Sequence, residues 1–215
     1  MSETENNLRQ LVTETARELA RRGLNRGAAG NVSARLGDEM LITPSGISYD
    51  VLRADQIVQM PFDALPGGAI KPSSEWRMHG DIYRTRDEAG AVIHTHSDYA
   101  TALACLKQPI PAFHYMVAAA GGNKIACADY ATFQTAELSA SMLAGLGERR
   151  ATLLAHHGMI CYGKDLTAAL KLAEEVEGLA RQYILARSIG AVEILPDEEM
   201  DRVHKLFRTY GQKKA

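Results

Sequence analysis

Apolar residues recur along the chain in two patterns, and each predicts a different kind of element. A spacing of three to four positions, with charged residues between, is typical of amphipathic helices. It predicts a helix over residues 6–22 that Gly23 ends, and a later helix that Asp165 caps. The same pattern predicts further helices at 71–86, with Ser73 or Ser74 as N-cap, at 99–105, at 133–146 and at 197–210.

Short apolar or alternating runs bounded by Gly, Pro and Asp predict strands. Residues 32–36 and 40–43 flank a Gly-Asp turn and predict a hairpin. Other runs predict strands at 56–60, 91–96, 110 onward and 124–128, and one from 151 to 158 that continues through 159–162. Because several strands are joined by turns and not by helices, we expect a single α/β domain over residues 1–215. Its sheet should be mixed, largely antiparallel and covered by helices.

Composition narrows the functional classes. The 215 residues are 46% hydrophobic and 23% charged, as in an ordinary globular protein. The formal net charge is −2 and no basic block precedes the last residues, which argues against nucleic-acid binding. The N-terminus lacks a secretory signal, and no apolar run nears the roughly 20 residues of a membrane span, so we expect a cytoplasmic protein. Three scattered cysteines predict neither a disulfide framework nor a zinc ribbon.

Two histidines at the end of an apolar strand are the first candidate metal ligands. His94 and His96 alternate along the strand, so both imidazoles should point to the same face. His156 and His157 end another apolar run, and if they are strand residues only one of them can join the same site. An isolated pair of either kind is more often an ordinary surface or hydrogen-bonded pair. Together they predict a three-histidine site.

Glu75 is the candidate fourth ligand, because it follows two serines at a predicted helix start. A lone carboxylate there more often interacts with the helix dipole. Three histidines with one carboxylate and an exchangeable position are typical of catalytic zinc, although Mn²⁺ or Co²⁺ would also be accepted. Turns at Gly30-Asn31, Ser45-Gly46 and Ser73-Ser74 could bind a phosphate through short side chains and backbone N–H groups. Each turn alone is more often only a turn.

Six segments together resemble the class II aldolase/adducin family, most closely its branch that acts on L-fuculose 1-phosphate. The resemblance extends over nearly the whole chain, as far as residues 208–211, and is carried by residues 27–36, 40–50, 71–79, 91–102, 110–133 and 151–160. One departure is Ala28, which stands where that branch has a threonine. Ser45 replaces a second threonine but retains a hydroxyl.

The resemblance implies a role for each matching residue. His94, His96 and His157 would ligate zinc, and Glu75 would act as both ligand and base. Tyr115, supplied by a neighbouring subunit, would donate a proton to the aldehyde oxygen. The substrate phosphate would lie against Gly30, Asn31, Ser45, Gly46, Ser73 and Ser74, and the aldehyde against Phe133 and Tyr210.

The activity implied by the resemblance is reversible cleavage of a ketose 1-phosphate of the L-fuculose type. The products would be dihydroxyacetone phosphate and a small aldehyde such as L-lactaldehyde, and the enzyme would be a homotetramer with sites between subunits. An aldolase for 5-deoxyribulose or 5-methylthioribulose 1-phosphate remains an alternative. A pentulose-phosphate 4-epimerase is disfavoured, because the related epimerases have the sequence Ser-Ser-Asp at the positions where this chain has Ser73-Ser74-Glu75. A non-catalytic adducin-like interaction domain would have no reason to retain four metal ligands.

Overall fold

The computed structural model describes residues 3–65 and 67–208. The strands are β1 Asn31–Leu36, β2 Glu39–Ile42, β3 Val58–Pro61, β4 Ala91–Thr95, β5 Ile110–Pro111, β6 Lys124–Ala128, β7 Ala151–Leu154 and β8 Gly158–Gly163. The helices are α1 Glu3–Arg21, α2 Trp76–Thr85, α3 Asp98–Cys105, α4 Ala136–Leu146, α5 Leu166–Ile189 and α6 Asp197–Phe207. Short 3₁₀ turns occupy Ala54–Gln56 and Tyr115–Ala120.

All eight strands form one sheet in the order β3-β2-β1-β4-β8-β7-β6-β5. Among the strand pairs of the described residues, only β6–β7 is parallel, and the other six are antiparallel. This confirms the predicted mixed, largely antiparallel sheet. Strand β4, which ends beside the candidate histidines, lies in the middle of the order between β1 and β8. The end of β4 is therefore supported by strands on both sides.

Helices cover both faces of the sheet, because side chains alternate along each strand. In β4, Ile93 packs into a core with α1, α3, α5 and α6, while Val92 points into a second core with α2 and α4. Leu41 and Ile42 of β2 divide between the same two cores. This two-sided burial explains why the strands read as nearly continuous apolar runs. None of the described helices is both long enough and apolar enough to cross a bilayer.

Two predicted boundaries are wrong. The apolar run that begins at Ala151 does not continue through Gly158 as one strand. It reverses at 155–157, so that β7 and β8 form an antiparallel hairpin. Helix α2 begins at Trp76 with Glu75 as N-cap, and Ser73 instead accepts the Glu75 backbone N–H through its Oγ at 3.3 Å. The predicted Asp165 cap is confirmed, since its side chain accepts from the Ala168 backbone N–H at 2.7 Å.

Candidate metal centre

His94 and His96 meet where β4 ends, with their Nε2 atoms 2.9 Å apart. His94 is fully buried, whereas His96 lies just beyond the strand with its ring partly buried and partly open to solvent. The Nδ1–H of His94 donates to the carbonyl oxygen of Met159 on β8 at 2.8 Å. When His94 is neutral, that bond leaves its Nε2 without a proton, which is the form of imidazole that binds a metal. The two histidines predicted to share a face therefore converge.

His157 comes from the β7–β8 turn, and Glu75 comes from the start of α2. The Nε2 of His157 lies 2.9 Å from Glu75 Oε1, and the Nε2 of His94 lies 3.1 Å from Glu75 Oε2. His156 does not join this group. Its φ of +56° lies in the left-handed region, so the turn directs the two adjacent histidines apart. The prediction that only one of the pair joins the site holds, but because of a turn and not because of strand alternation.

The ligand atoms of Glu75, His94, His96 and His157 all lie within 4.8 Å of one another. Three imidazole nitrogens with one carboxylate are a donor set that fits Zn²⁺ and that Mn²⁺ or Co²⁺ also accepts. Glu75 and His94 are buried and held by hydrogen bonds, while His96 faces the solvent side. The arrangement fits a catalytic metal that must remain accessible to a substrate.

Charges within the cluster shift the ionisation of its members. Burial alone would raise the pKa of Glu75, but the adjacent His94 and His157 outweigh it and hold that pKa far below its usual range. Burial lowers the pKa of His96 to about 4, with contributions from His94 and His157. Burial also opposes protonation of His94, yet the Glu75 carboxylate raises its pKa. Glu75 is thus an anion near neutral pH and His96 is neutral, as metal binding requires.

A cavity of about 390 Å³ opens beside the cluster. The three predicted phosphate turns line it together with Glu75, His96 and His157. An isolated antiparallel bridge between Pro44 and Pro72 ties two of these turns together. In consequence the Ser45 and Ser73 backbone N–H groups donate to the carbonyls of Lys71 and Thr43, at 3.0 and 2.9 Å. The structure therefore brings together the predicted metal and phosphate residues.

The side chain of Asn31, predicted to bind phosphate, contacts other protein groups. Its Nδ2 donates to Glu75 Oε2 at 3.0 Å, and its Oδ1 lies 2.5 Å from the Nε2 of His79. His79 is fully buried, and burial together with the charge of His94 lowers its pKa to about 3. Asn31 thus contacts the candidate base directly, a role that the sequence did not indicate.

The residues predicted on the aldehyde side have different locations. Phe133 lines the cavity and is 60% exposed. Tyr115 instead lines a second cavity of about 610 Å³ next to α5 and α6, where its ring lies 6.4 Å from that of Phe207. The structure does not bring Tyr115 to the metal cluster of its own chain. Tyr210 lies outside the described residues.

Among the lining residues that sequence reasoning did not assign to the site, two carry rings, Tyr130 and His156. Their rings meet edge to face at 5.9 Å, and both side chains are exposed beside Phe133. The signal that could have found Tyr130 is its position in the same loop as Phe133, three residues away. His156 could not be found from spacing alone, because the reversal of the chain at this point decides where it points.

Comparison with known proteins gives a consistent match. Residues 10–184 match the family model described as Class II Aldolase and Adducin N-terminal domain. A 5-methylthioribulose-1-phosphate/5-deoxyribulose-1-phosphate aldolase from Rhodospirillum rubrum is 54% identical over 95% of this chain and 92% of its own length. An L-fuculose phosphate aldolase from Escherichia coli K12 is 48% identical over 96% of each chain.

A solved structure has the same fold. The structure of an L-fuculose 1-phosphate aldolase matches with a TM-score of 0.91 and 39% identity, covering 97% of this chain and 98% of that one. The match therefore spans both chains almost completely.

Proposed function

The chain belongs to the class II aldolase and adducin family, and from this premise we propose that it is a zinc-dependent ketose-1-phosphate aldolase. That it is a class II aldolase acting on a ketose phosphate follows from its relatives, and aldolases of this class depend on a metal. The proposal adds the identity of the metal, the roles of individual residues and the nature of the aldehyde product.

The observation that supports the proposal best is that three kinds of group line one cavity. They are the phosphate-type turns, the cluster of Glu75 with its histidines, and the aromatic side chains of Tyr130 and Phe133. A ketose 1-phosphate carries a matching group for each: a phosphate, a carbonyl with a neighbouring hydroxyl, and a tail. Binding the phosphate in the turns would place the carbonyl and the C3 hydroxyl beside the cluster.

The bound metal, Glu75 and Tyr115 have separate roles in the cleavage of the C3–C4 bond. When bound, Zn²⁺ supplies a Lewis acid that stabilises the negative charge developing on the substrate's carbonyl side. As the C3–C4 bond breaks, its electron pair stays on the C3 side, and the C4 hydroxyl becomes the aldehyde by giving its proton to Tyr115 of a neighbouring subunit. Glu75, held between Asn31 and two histidines, delivers a proton to C3, which gives dihydroxyacetone phosphate. The proton gained by Tyr115 and the proton lost by Glu75 balance through exchange with solvent. Cleavage releases dihydroxyacetone phosphate and the aldehyde.

Exposed aromatic rings in the cavity suggest an aldehyde with an apolar end. Phe133 and Tyr130 form this wall together with His156. The relative with 54% identity supports 5-methylthioribulose or 5-deoxyribulose 1-phosphate as the first candidate substrate. L-Fuculose 1-phosphate, which gives L-lactaldehyde, is the second candidate and is supported by the relatives with 48% identity. All three tails end in a methyl group.

We also propose a homotetramer whose sites lie between subunits. Tyr115 borders the second cavity instead of its own metal cluster, so a neighbouring chain is needed to deliver its hydroxyl. The apolar lining of that cavity, which includes Met116 and Leu172, is suited to subunit contact. The three cysteines carry free thiols, in keeping with a cytoplasmic location.

The metal is tested by analysis and chelation. The purified protein should contain about one zinc per chain, lose cleavage activity on chelation and regain it when Zn²⁺ is restored. Glu75→Gln should retain the fold and lower turnover by at least about 100-fold, since general base catalysis is worth roughly 10²–10⁴. Full activity in a metal-free preparation would refute the proposal. Unchanged turnover in the variant would remove Glu75 from the role of base.

The aldehyde is tested by comparing kcat/KM across the three ketose 1-phosphates. We expect the 5-methylthio and 5-deoxy substrates to exceed L-fuculose 1-phosphate. Phe133→Ala should change the ratios of kcat/KM among the three substrates, because the Phe133 ring lines the cavity. Leu106→Ala is the matched control, since Leu106 is similarly exposed, at 67%, but lies outside the cavity. A ratio that Phe133→Ala leaves unchanged would contradict the placement of the tail.

A further inference from the structure

A chain of buried polar side chains leads from Glu75 into the interior, away from the cavity. Asn31 Nδ2 contacts Glu75 Oε2 at 3.0 Å, and Asn31 Oδ1 contacts His79 Nε2 at 2.5 Å. His79 Nδ1 then lies 2.7 Å from Ser33 Oγ, which lies 2.8 Å from the hydroxyl of Tyr83. The relative exposure of each of the four residues beyond Glu75 is 2% or less.

The Glu75 carboxylate decides which group donates in each hydrogen bond of this series. An ionised carboxylate only accepts hydrogen bonds, so the amide NH₂ of Asn31 must face Glu75 and its carbonyl oxygen must face His79. His79 therefore donates from Nε2, and its Nδ1 accepts from the Ser33 hydroxyl. Tyr83 in turn donates to Ser33 Oγ. Burial lowers the pKa of His79 to about 3, so a neutral imidazole with one donor and one acceptor is the species present.

We propose that His79 is a positioning residue of the metal centre, which fixes the Asn31 amide so that Glu75 presents its carboxylate to the three histidines. The inference rests on the proposed function, because it assigns a task to the surroundings of Glu75. Without a donor at His79, the Asn31 carbonyl loses its buried partner and the amide can rotate. A rotated amide would direct its oxygen at the Glu75 carboxylate and push the carboxylate away.

The position of His79 suits this task. It lies four residues after Glu75, the N-cap of α2, and the Asn31 amide is within hydrogen-bond distance of both side chains. Asn31 is the first residue of β1 and pairs in register with His94 of β4. The Asn31 amide thus joins the helix that carries Glu75 to the strand that carries a histidine ligand. Partners of this kind, which hold a metal ligand without touching the metal, typically change metal affinity by about 10- to 100-fold when removed.

Two substitutions of similar polarity separate positioning from general stability. In His79→Gln the amide NH₂ can occupy the place of Nε2 and still donate to Asn31. In His79→Asn the shorter side chain occupies the place of Nδ1, serves Ser33 and leaves Asn31 without a donor. Zinc affinity is measured on the metal-free full-length proteins by competition with a chelating indicator, with no substrate present. Ile82→Val, a buried change on the same helix that is outside the polar chain, is the stability control.

We expect His79→Asn to raise the zinc dissociation constant by about tenfold or more, and His79→Gln to stay close to the unsubstituted protein. Ile82→Val should lower the melting temperature without changing zinc affinity. Equal zinc affinity in all four proteins, or equal losses in the Gln and Asn variants, would overturn the positioning role. An unsubstituted protein that binds no zinc would instead refute the proposed function and this inference with it.

A spectroscopic measurement needs no variant to fold. Imidazole ¹⁵N chemical shifts of the unsubstituted protein should report His79 as the neutral Nε2–H tautomer. An Nδ1–H tautomer would reverse the direction of the chain and overturn the proposal.

Discussion

The buried neutral His79 predicts a specific dependence of stability on pH. Its pKa is lowered from 6.5 to about 3 by burial and by the charge of His94. In the unfolded chain the imidazole regains an ordinary pKa, so between about pH 6.5 and 3 the unfolded state binds a proton that the folded state does not. Stability from this group is therefore fully present above pH 6.5 and is lost as the pH falls toward 3.

The magnitude follows from the difference in pKa. Each pKa unit is worth about 1.36 kcal/mol. A pH of 5 lies about 1.5 units below the pKa of the imidazole in the unfolded chain. Lowering the pH from 7 to 5 should thus remove about 2 kcal/mol through His79 alone. The group is completely buried, so no discount for solvent screening applies.

The assay compares two proteins, which cancels the other titrating groups. Urea unfolding of the metal-free protein at pH 7 and pH 5, at one fixed protein concentration, gives the loss for the unsubstituted chain. His79→Gln, which cannot titrate, should lose about 2 kcal/mol less over the same interval. If both proteins lose the same free energy of unfolding, His79 is not a buried neutral imidazole and the reasoning is refuted.

Three further predictions concern single substitutions. Gly30→Ala should lower the urea midpoint of unfolding and weaken zinc binding. Gly30 has a φ of +70°, and an added Cβ would lie 2.4 Å from Asn25 Nδ2 and 2.5 Å from the His94 carbonyl oxygen. An unchanged midpoint and an unchanged zinc affinity would contradict this close contact. Tyr115→Phe should lower turnover by about 100-fold or more. The melting temperature should not change, because this side chain is 49% exposed. Unaltered turnover would exclude Tyr115 as the proton donor. Leu154→Ala, fully buried before the β7–β8 turn, should cost about 2–5 kcal/mol in urea unfolding, and a cost under about 1 kcal/mol would show that the site repacks.

The metal cluster could be predicted from the sequence because local spacing decides most of it. His94 and His96 are two positions apart where a strand ends, and this spacing brings them to the same face. To choose His157 over His156 one must know that the chain turns between β7 and β8, and the continuous apolar run hides this turn. Gly158 was the signal for the turn. A Cβ at that position would lie 2.3 Å from the Thr95 carbonyl oxygen, where two strands meet closely.

The surroundings of the cluster could not be predicted, because they depend on pairings between distant segments. Asn31 contacts Glu75 only because β1 pairs with β4 in one register. His79 reads as one more residue of an amphipathic helix until that register places it against Asn31. Of the remaining residues, Phe133 was placed by resemblance alone. The structure adds that its ring is on the wall of the same cavity as the cluster.

The exposed aromatic wall has an evolutionary consequence. The metal ligands and phosphate turns are tied into the sheet and into each other, so most changes there would cost stability. Tyr130 and Phe133 are 57% and 60% exposed and lie in a loop outside the strands and helices. Substitutions at exposed loop positions change the free energy of unfolding little. With the tail of the substrate placed against this wall, as proposed, a lineage with this fold can exchange one aldehyde for another through nearly neutral steps while the residues proposed for cleavage stay unchanged.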